Sequence, residues 1–318
     1  MPNYNFDLNG KTVWVAGETG MVGRALLKRL NKEPCTLLNA PHSDLDLTNQ
    51  QDTSDWISQN KPDVIIVAAA KVGGILANKN SPADFLYDNL AIGQNIIHAA
   101  YKNNVERLIY LGSSCIYPKH TTQPIDENAL LSGKLEDTNE AYAIAKIAIV
   151  KLCEYYHRQY GYNFTSVLPT NLYGENDNFD KETSHVIPAL ITKIHEAKEY
   201  NQQSVELWGT GNPLREFLHI DDLANAILAI TTSYNDSTPI NIGYGAEISI
   251  HDLAHKIKNL IGFDGDITFD ASKPDGTPRK LLNSDKIKAL GWSADISLDD
   301  GLRTTYDWFK KSYASSKV

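Results

Sequence analysis

The stretch TVWVAGETGMVGRALLKRL, residues 12–30, decides the fold. An apolar run stops at Gly17, glycines recur at Gly20 and Gly23, and a helical pattern of apolar residues begins at once. Glycine at these three places lets the turn take positive φ, lets backbone N–H groups come close to a pyrophosphate, and lets helix pack on strand. The positive end of the helix dipole then faces the anion. Gly17, Thr19, Gly20, Met21, Val22 and Gly23 are therefore the expected dinucleotide contacts of this turn.

Outward from that turn, apolar runs alternate with helical patterns. TLLNA (36–40), a short polar segment, DVIIVAAA (63–70), RLIYLGS (107–113) and NFTSVLPT (163–170) read as strands. Helical patterns cover 83–103 and 139–160. Strands that are apolar throughout are buried on both faces, as in a parallel sheet with helices on either side. The expected fold is α/β: a doubly wound, Rossmann-like parallel sheet with a smaller, interleaved C-terminal substrate domain. Residues 1–170 and about 218–245 form the dinucleotide-binding domain in this reading, and about 171–217 and 246–318 a smaller lid domain. The second part is rich in Gly, Asn, Pro and acidic loops, which carry binding residues on a rigid scaffold.

The 318 residues suffice for one large domain and a smaller partner, and a net charge of −9 argues against nucleic-acid or membrane-surface binding. No apolar stretch is as long as a membrane span and no secretory leader is visible. Three distant cysteines, Cys35, Cys115 and Cys153, suit reduced thiols, so a cytoplasmic protein is expected. HDLAH (251–255) mimics a helical zinc pair but has Asp where Glu is needed and no third ligand, so no metal is expected.

Two groups of residues bear on chemistry. At the tip of the second strand the nearest polar groups are Asn39 and His42; no acid precedes Asp44 and there is no Arg, which favours NADP(H) without excluding NAD(H). Asp46 and Leu47 would border the adenine. In AYAIAKIA, Tyr142 and Lys146 lie four apart on one helix face among apolar neighbours. An ammonium about 4 Å from the phenol would contribute roughly 4 kcal/mol and acidify Tyr142 toward neutrality. Ser113 or Ser114, at the end of the preceding strand, would hydrogen-bond the same substrate oxygen, and Cys115 follows directly.

The glycine turn, AAAKVGGILAN, GSSCIYPK, AYAIAKIA, PTNLYG, DNF, SHVIPAL, REFLH and DASKPDGTPRKLL together resemble the extended short-chain dehydrogenase/reductases. Within them the order of motifs, from about residue 11 to 310, resembles the GDP-L-fucose synthase family. That resemblance implies NADP(H)-dependent conversion of a GDP-4-keto-6-deoxymannose by epimerisation at C3 and C5 and reduction at C4. Cys115 and His185 would exchange the ring protons, as thiol and imidazole titrate near neutrality and the serine hydroxyls do not. Tyr142 would protonate the C4 oxygen, Ser113 would polarise it, and Lys146 would hold ribose hydroxyls. Cofactor contacts are further implied at Ala68, Ala69, Ala70, Pro169, Asn171, Leu172 and His185. Substrate contacts are implied at Ser114, Asn171, Lys193, Trp208, Arg215 and Lys280, the last two on the diphosphate. Lys193 departs from an Arg common in the family, and Glu18 and Thr19 replace a His or basic pair common there. Relatives of this kind pair their long helices, so a homodimer is expected.

The sequence leaves open a C4 reductase, with or without epimerisation, of a related GDP-4-keto-heptose or 6-deoxyheptose. A non-catalytic dinucleotide sensor is a further alternative, opposed by the presence of both Tyr142 and Lys146. A 4,6-dehydratase would carry an acidic pair where this chain has Cys115–Ile116.

Overall fold

The apolar runs pair in parallel in a computed structural model, which describes residues 4–180, 183–273 and 275–316. In chain order the elements are β1 (Thr12–Ala16), α1 (Met21–Leu30), β2 (Thr36–Leu38), α2 (Gln50–Asn60), β3 (Val64–Val67), α3 (Ile75–Asn80) and α4 (Pro82–Lys102). Then come β4 (Arg107–Leu111), α5 (Glu140–Tyr160), β5 (Asn163–Pro169), β6 (Asn171–Tyr173), α6 (Val186–Glu199), β7 (Ser204–Trp208) and β8 (Leu214–His219). The last are α7 (Ile220–Ser233), β9 (Ile240–Ile242), β10 (Glu247–Ser249), α8 (Ile250–Ile261), β11 (Asp266–Asp270), β12 (Arg279–Lys280), α9 (Asp285–Lys288) and α10 (Leu298–Ser316).

The main sheet runs β2-β1-β3-β4-β5-β9, all parallel. Its strands alternate between two cores, which is why they are apolar at every position. Val13 and Val15 of β1 face the layer of α1 and α7, while Trp14 and Ala16 face α2, α4 and α5. The chain reverses direction across the sheet after β2, so the glycine turn following β1 lies at the switch point where such sheets open a crevice. α4 packs on α5 so closely that a Cβ on Gly93 would lie 2.6 Å from Ile149 Cγ1.

A four-stranded sheet, in which β10, β12 and β6 all pair with β8, and the pair β7–β11 form the smaller part, whose core lies under α6, α8 and α10. The segment carrying α9 does not stay with it. Ile287 and Trp292 pack into the first core, because α9 sits against β9. The polar segment expected between the second and third strands is the helix α2, capped by Asn49, whose side chain accepts from the N–H groups of Gln51 and Asp52. Only Thr53 and Ile57 of that helix are buried, too few to register as an apolar stripe.

Candidate active site at the sheet's C-terminal edge

Gly17 adopts φ +88°, and a Cβ there would lie 2.6 Å from Ala69 N and 2.9 Å from the Ala68 carbonyl carbon. Gly23 packs on the carbonyl of Gly17 in the same way, whereas Gly20 has room. Gly20 is also the N-cap of α1, yet no side chain caps that helix and its first turn holds no acid. The N–H groups that begin α1, at Met21 and Val22, are left for an external anion, so these residues fit a dinucleotide pyrophosphate. Thr19 is exposed, and its carbonyl accepts from Arg24 Nε at 2.9 Å.

The tip of β2 differs from the sequence expectation. It lacks an acid of its own, but Glu18 reaches across from the glycine turn and its carboxylate accepts from Ala40 N at 3.2 Å. Asn39 and His42 are exposed beside it. Asp46 is turned onto Thr48, bonding its hydroxyl at 2.7 Å, and Leu47 is half-buried. Past β3, Ala68 is tied by its N–H to Ala16 and Ala70 leads into a loop held by Asn89, which bonds both the N–H and the carbonyl of Lys71. Asn89 escaped the sequence reading because the same helix also carries Asp88, Gln94 and Asn95, so no single polar residue stood out.

At the end of β4 the Ser113 hydroxyl accepts from Cys115 N at 3.2 Å and starts a 3₁₀ turn, Ser114–Ile116. The turn buries Ser114 and presents the Cys115 sulfur to a lysine ammonium, Lys280 Nζ, at 3.7 Å. Burial raises the thiol's pKa, but Lys280, the Ser113 hydroxyl and Arg215 together bring it below the ordinary thiol value.

α5 delivers Tyr142 and Lys146 to the same place, though not with the electrostatics expected. Lys146 donates to Leu111 O at 2.8 Å, and its nitrogen lies 4.7 Å from the Tyr110 ring centre and 5.8 Å from that of Tyr142. Burial lowers its pKa to about 7, so it is no fixed cation. Tyr142 is pushed up instead, first by burial and then by Cys115, with the Ser113 hydroxyl pulling the other way. The direction is opposite to that of an ammonium-acidified phenol: desolvation favours the neutral form of both partners.

Arg215, in β8, stands in register beside Lys280 of β12. Burial lowers the pKa of its guanidinium, while Cys115 and Asp275 oppose this. The neighbouring Glu216 was missed by sequence reading. Its buried carboxylate accepts from Gly245 N at 2.7 Å and Leu282 N at 3.1 Å, and its carbonyl accepts from Asn171 Nδ2 at 2.8 Å. The signal was a carboxylate beside Arg215 in LREFLH, a segment whose remaining residues are largely apolar. Pro169 ends β5, and Leu172 is half-buried against the first core.

Ser113, Cys115, Tyr142, Lys146, Arg215 and Lys280 are thus gathered at one site. His185 is the N-cap of α6, docked by its neighbours, with Gly74 N donating to Thr183 O at 3.1 Å. Its ring faces solvent, yet enough protein surrounds it that burial lowers its pKa. No hydrogen bond joins it to Cys115 or Tyr142. Trp208, 64% exposed at the end of β7, carries the Lys273 ammonium 5.7 Å from its ring, and Lys193 is on the exposed face of α6.

The model of the NAD dependent epimerase/dehydratase family matches residues 13–243. The chain is 51% identical to a GDP-L-fucose synthase of Sinorhizobium fredii over 99% of its own length and 100% of the relative's. Among solved structures it is similar to a GDP-6-OMe-4-keto-L-xylo-heptose reductase of Campylobacter jejuni, with a TM-score of 0.89, 36% identity, and 97% and 99% of the two chains covered. It is also similar to a GDP-L-fucose synthetase of Naegleria fowleri bound to NADP, with a TM-score of 0.90, 29% identity, and 98% of each chain covered. With the glycine turn at the switch point and the Ser–Tyr–Lys cluster beside it, the chain belongs to the NAD dependent epimerase/dehydratase family and, within it, to the GDP-L-fucose synthase relatives.

Proposed function

We propose that this protein is an NADP(H)-dependent oxidoreductase with epimerase activity, converting GDP-4-keto-6-deoxy-D-mannose to GDP-L-fucose. The reading is supported by full-length similarity to GDP-L-fucose synthases and an NADP-bound neighbour. The observation that carries it is the placement of Cys115 within the Ser113–Tyr142 cluster, with a pKa below the ordinary thiol range.

Cys115 as thiolate takes the proton from C3 or C5, and the C–H electron pair becomes the enolate double bond. The negative charge moves to the C4 oxygen, where Ser113 and the neutral Tyr142 phenol donate hydrogen bonds. Return of a proton to the opposite face inverts the centre. His185 takes the role of the second acid/base: as imidazolium it gives the proton to the opposite face and is recharged from solvent, and α6 must bring it over the sugar. A nicotinamide held between the glycine turn and the end of β5 would supply a hydride for C4. Tyr142, kept protonated by its raised pKa, then gives its proton to that oxygen. Lys146, titrating at about 7, sits where it can gain a proton as the phenolate forms. Ser114 supports the same turn. Arg215, Lys280, Trp208, Lys193 and Asn171 take the nucleotide diphosphate and sugar, and Ala68–Ala70, Pro169 and Leu172 line the cofactor.

A cytoplasmic homodimer completes the proposal. Tyr87, Ile144, Tyr155 and Tyr160 leave large apolar surface on α4 and α5, and no described helix is long and apolar enough to cross a membrane. A second reading, reduction of a GDP-4-keto-heptose, is supported by the similarity to the Campylobacter jejuni reductase. The deciding experiment supplies GDP-4-keto-6-deoxymannose and NADPH in heavy water and identifies the product by NMR. GDP-L-fucose labelled at C3 and C5 is expected. Cys115→Ser loses the label while C4 reduction continues. Turnover only of the heptose substrate overturns the hexose assignment, and no turnover of either overturns the enzyme.

A further inference from the structure

Cys115 and Lys280 are 165 residues apart in sequence and meet only because β12 lies along β8. The backbone that carries Lys280 is fastened on every side. Arg279–Lys280 run in parallel register with Leu214–Arg215. Leu281 N donates to the Gln123 side chain at 2.8 Å and Leu281 O accepts from Ile125 N at 2.8 Å. Leu282 N donates to the buried Glu216 carboxylate at 3.1 Å, and Asn283 N to Ile125 O at 2.8 Å. Among the described residues the Lys280 ammonium enters no ion pair, so its nearest strong interaction is the sulfur.

The geometry points to Lys280 as a positioning residue for Cys115: its ammonium orients the sulfur and holds it ready to accept a proton, in addition to any phosphate it meets. This rests on the reading of Cys115 as the base that opens epimerisation. The groups facing the sulfur are few. Ser113 comes from the end of β4, Tyr142 from α5, Arg215 from β8 and Lys280 from β12; Asp275 acts on Arg215 from the preceding loop. Arg215 is already committed, donating to Leu214 O at 2.8 Å. Lys280 is the larger cationic influence of the two, and the contrast with the other thiols isolates it. Cys35 and Cys153, with no such ammonium, are both pushed upward by burial, Cys153 to about 12.

The test reads sulfur directly, without substrate or cofactor. The ligand-free full-length protein is alkylated with iodoacetamide from acid to alkaline pH and each cysteine is followed by peptide mass. In the parent, Cys115 reacts with a midpoint below the value near 8.5 of an ordinary thiol. Lys280→Met raises that midpoint by at least about one pH unit, and Lys280→Arg restores most of it. Buried Cys153 reports folding in the same digest; should it become reactive in Lys280→Met, Lys280→Gln replaces that variant. With Cys153 protected, an unmoved midpoint overturns the proposal. So does a Lys280→Arg midpoint as high as that of Lys280→Met. Deuterium uptake at C3 and C5 then shifts to higher pH in Lys280→Met in step with the alkylation midpoint. If the parent shows no uptake at all, the proposed activity fails while the alkylation result still decides the role of Lys280.

Discussion

Replacing Gly17 by Ala tests whether the crevice at the switch point is built as described. Gly17 holds φ +88°, where a Cβ costs about 1–2 kcal/mol of backbone strain. The added methyl would also lie 2.6 Å from Ala69 N and 2.7 Å from Ala69 Cα, contacts that only a shift of the β1 or β3 end relieves, at about 1–3 kcal/mol. Gly17→Ala should therefore destabilise by about 2–5 kcal/mol, a large share of a typical stability of about 5–15 kcal/mol. Gly10 is the control: its φ is +73° but nothing lies within 4 Å of its would-be Cβ. Gly10→Ala carries the strain alone, about 1–2 kcal/mol. Urea unfolding of the two variants isolates the close approach of the glycine turn to Ala69. NADPH titration followed by fluorescence should show at least about tenfold weaker binding for Gly17→Ala only, since roughly 1.4 kcal/mol of misplacement suffices. Equal destabilisation by both variants refutes the packing argument.

Other outcomes follow from the charges. Burial lowers Lys146 from 10.5 to about 7, so between those values the unfolded chain carries a proton that the folded chain lacks, and stability rises with pH across that window. Lys146→Met removes this penalty: it should abolish reduction yet be stabilising, most at and below pH 7 and least above 10.5, offset by about 1 kcal/mol for the lost bond to Leu111 O. A pH-independent difference between variant and parent in urea titrations contradicts the lowered pKa. Glu18 places a carboxylate at the tip of β2, on the side where a 2′-phosphate would be repelled. Glu18→Gln should raise the ratio of kcat/KM for NADPH over NADH by roughly fivefold, equivalent to about 1 kcal/mol; an unchanged ratio in initial-rate assays removes Glu18 from cofactor choice.

The sequence by itself determined the sheet and its cofactor edge. Strands apolar at every position have one physical solution, burial between two helical layers, and the Gly17–Gly20–Gly23 spacing marks where that sheet meets a phosphate. The long helices at 83–103 and 139–160 appear as α4 and α5 almost to the residue. α2 stayed hidden because a surface helix with two buried residues has almost no periodic signal.

What only the tertiary structure decided was electrical. Tyr142 and Lys146 were legible as a pair, but their protonation depends on how much water reaches them, and spacing carries no record of desolvation. Glu18 at Ala40, Glu216 fastening three segments, and Lys280 on Cys115 are meetings across 22, 29 to 66, and 165 residues of chain. Each is fixed by strand pairing and helix packing that join segments distant in sequence, and so could be read only once the chain was folded.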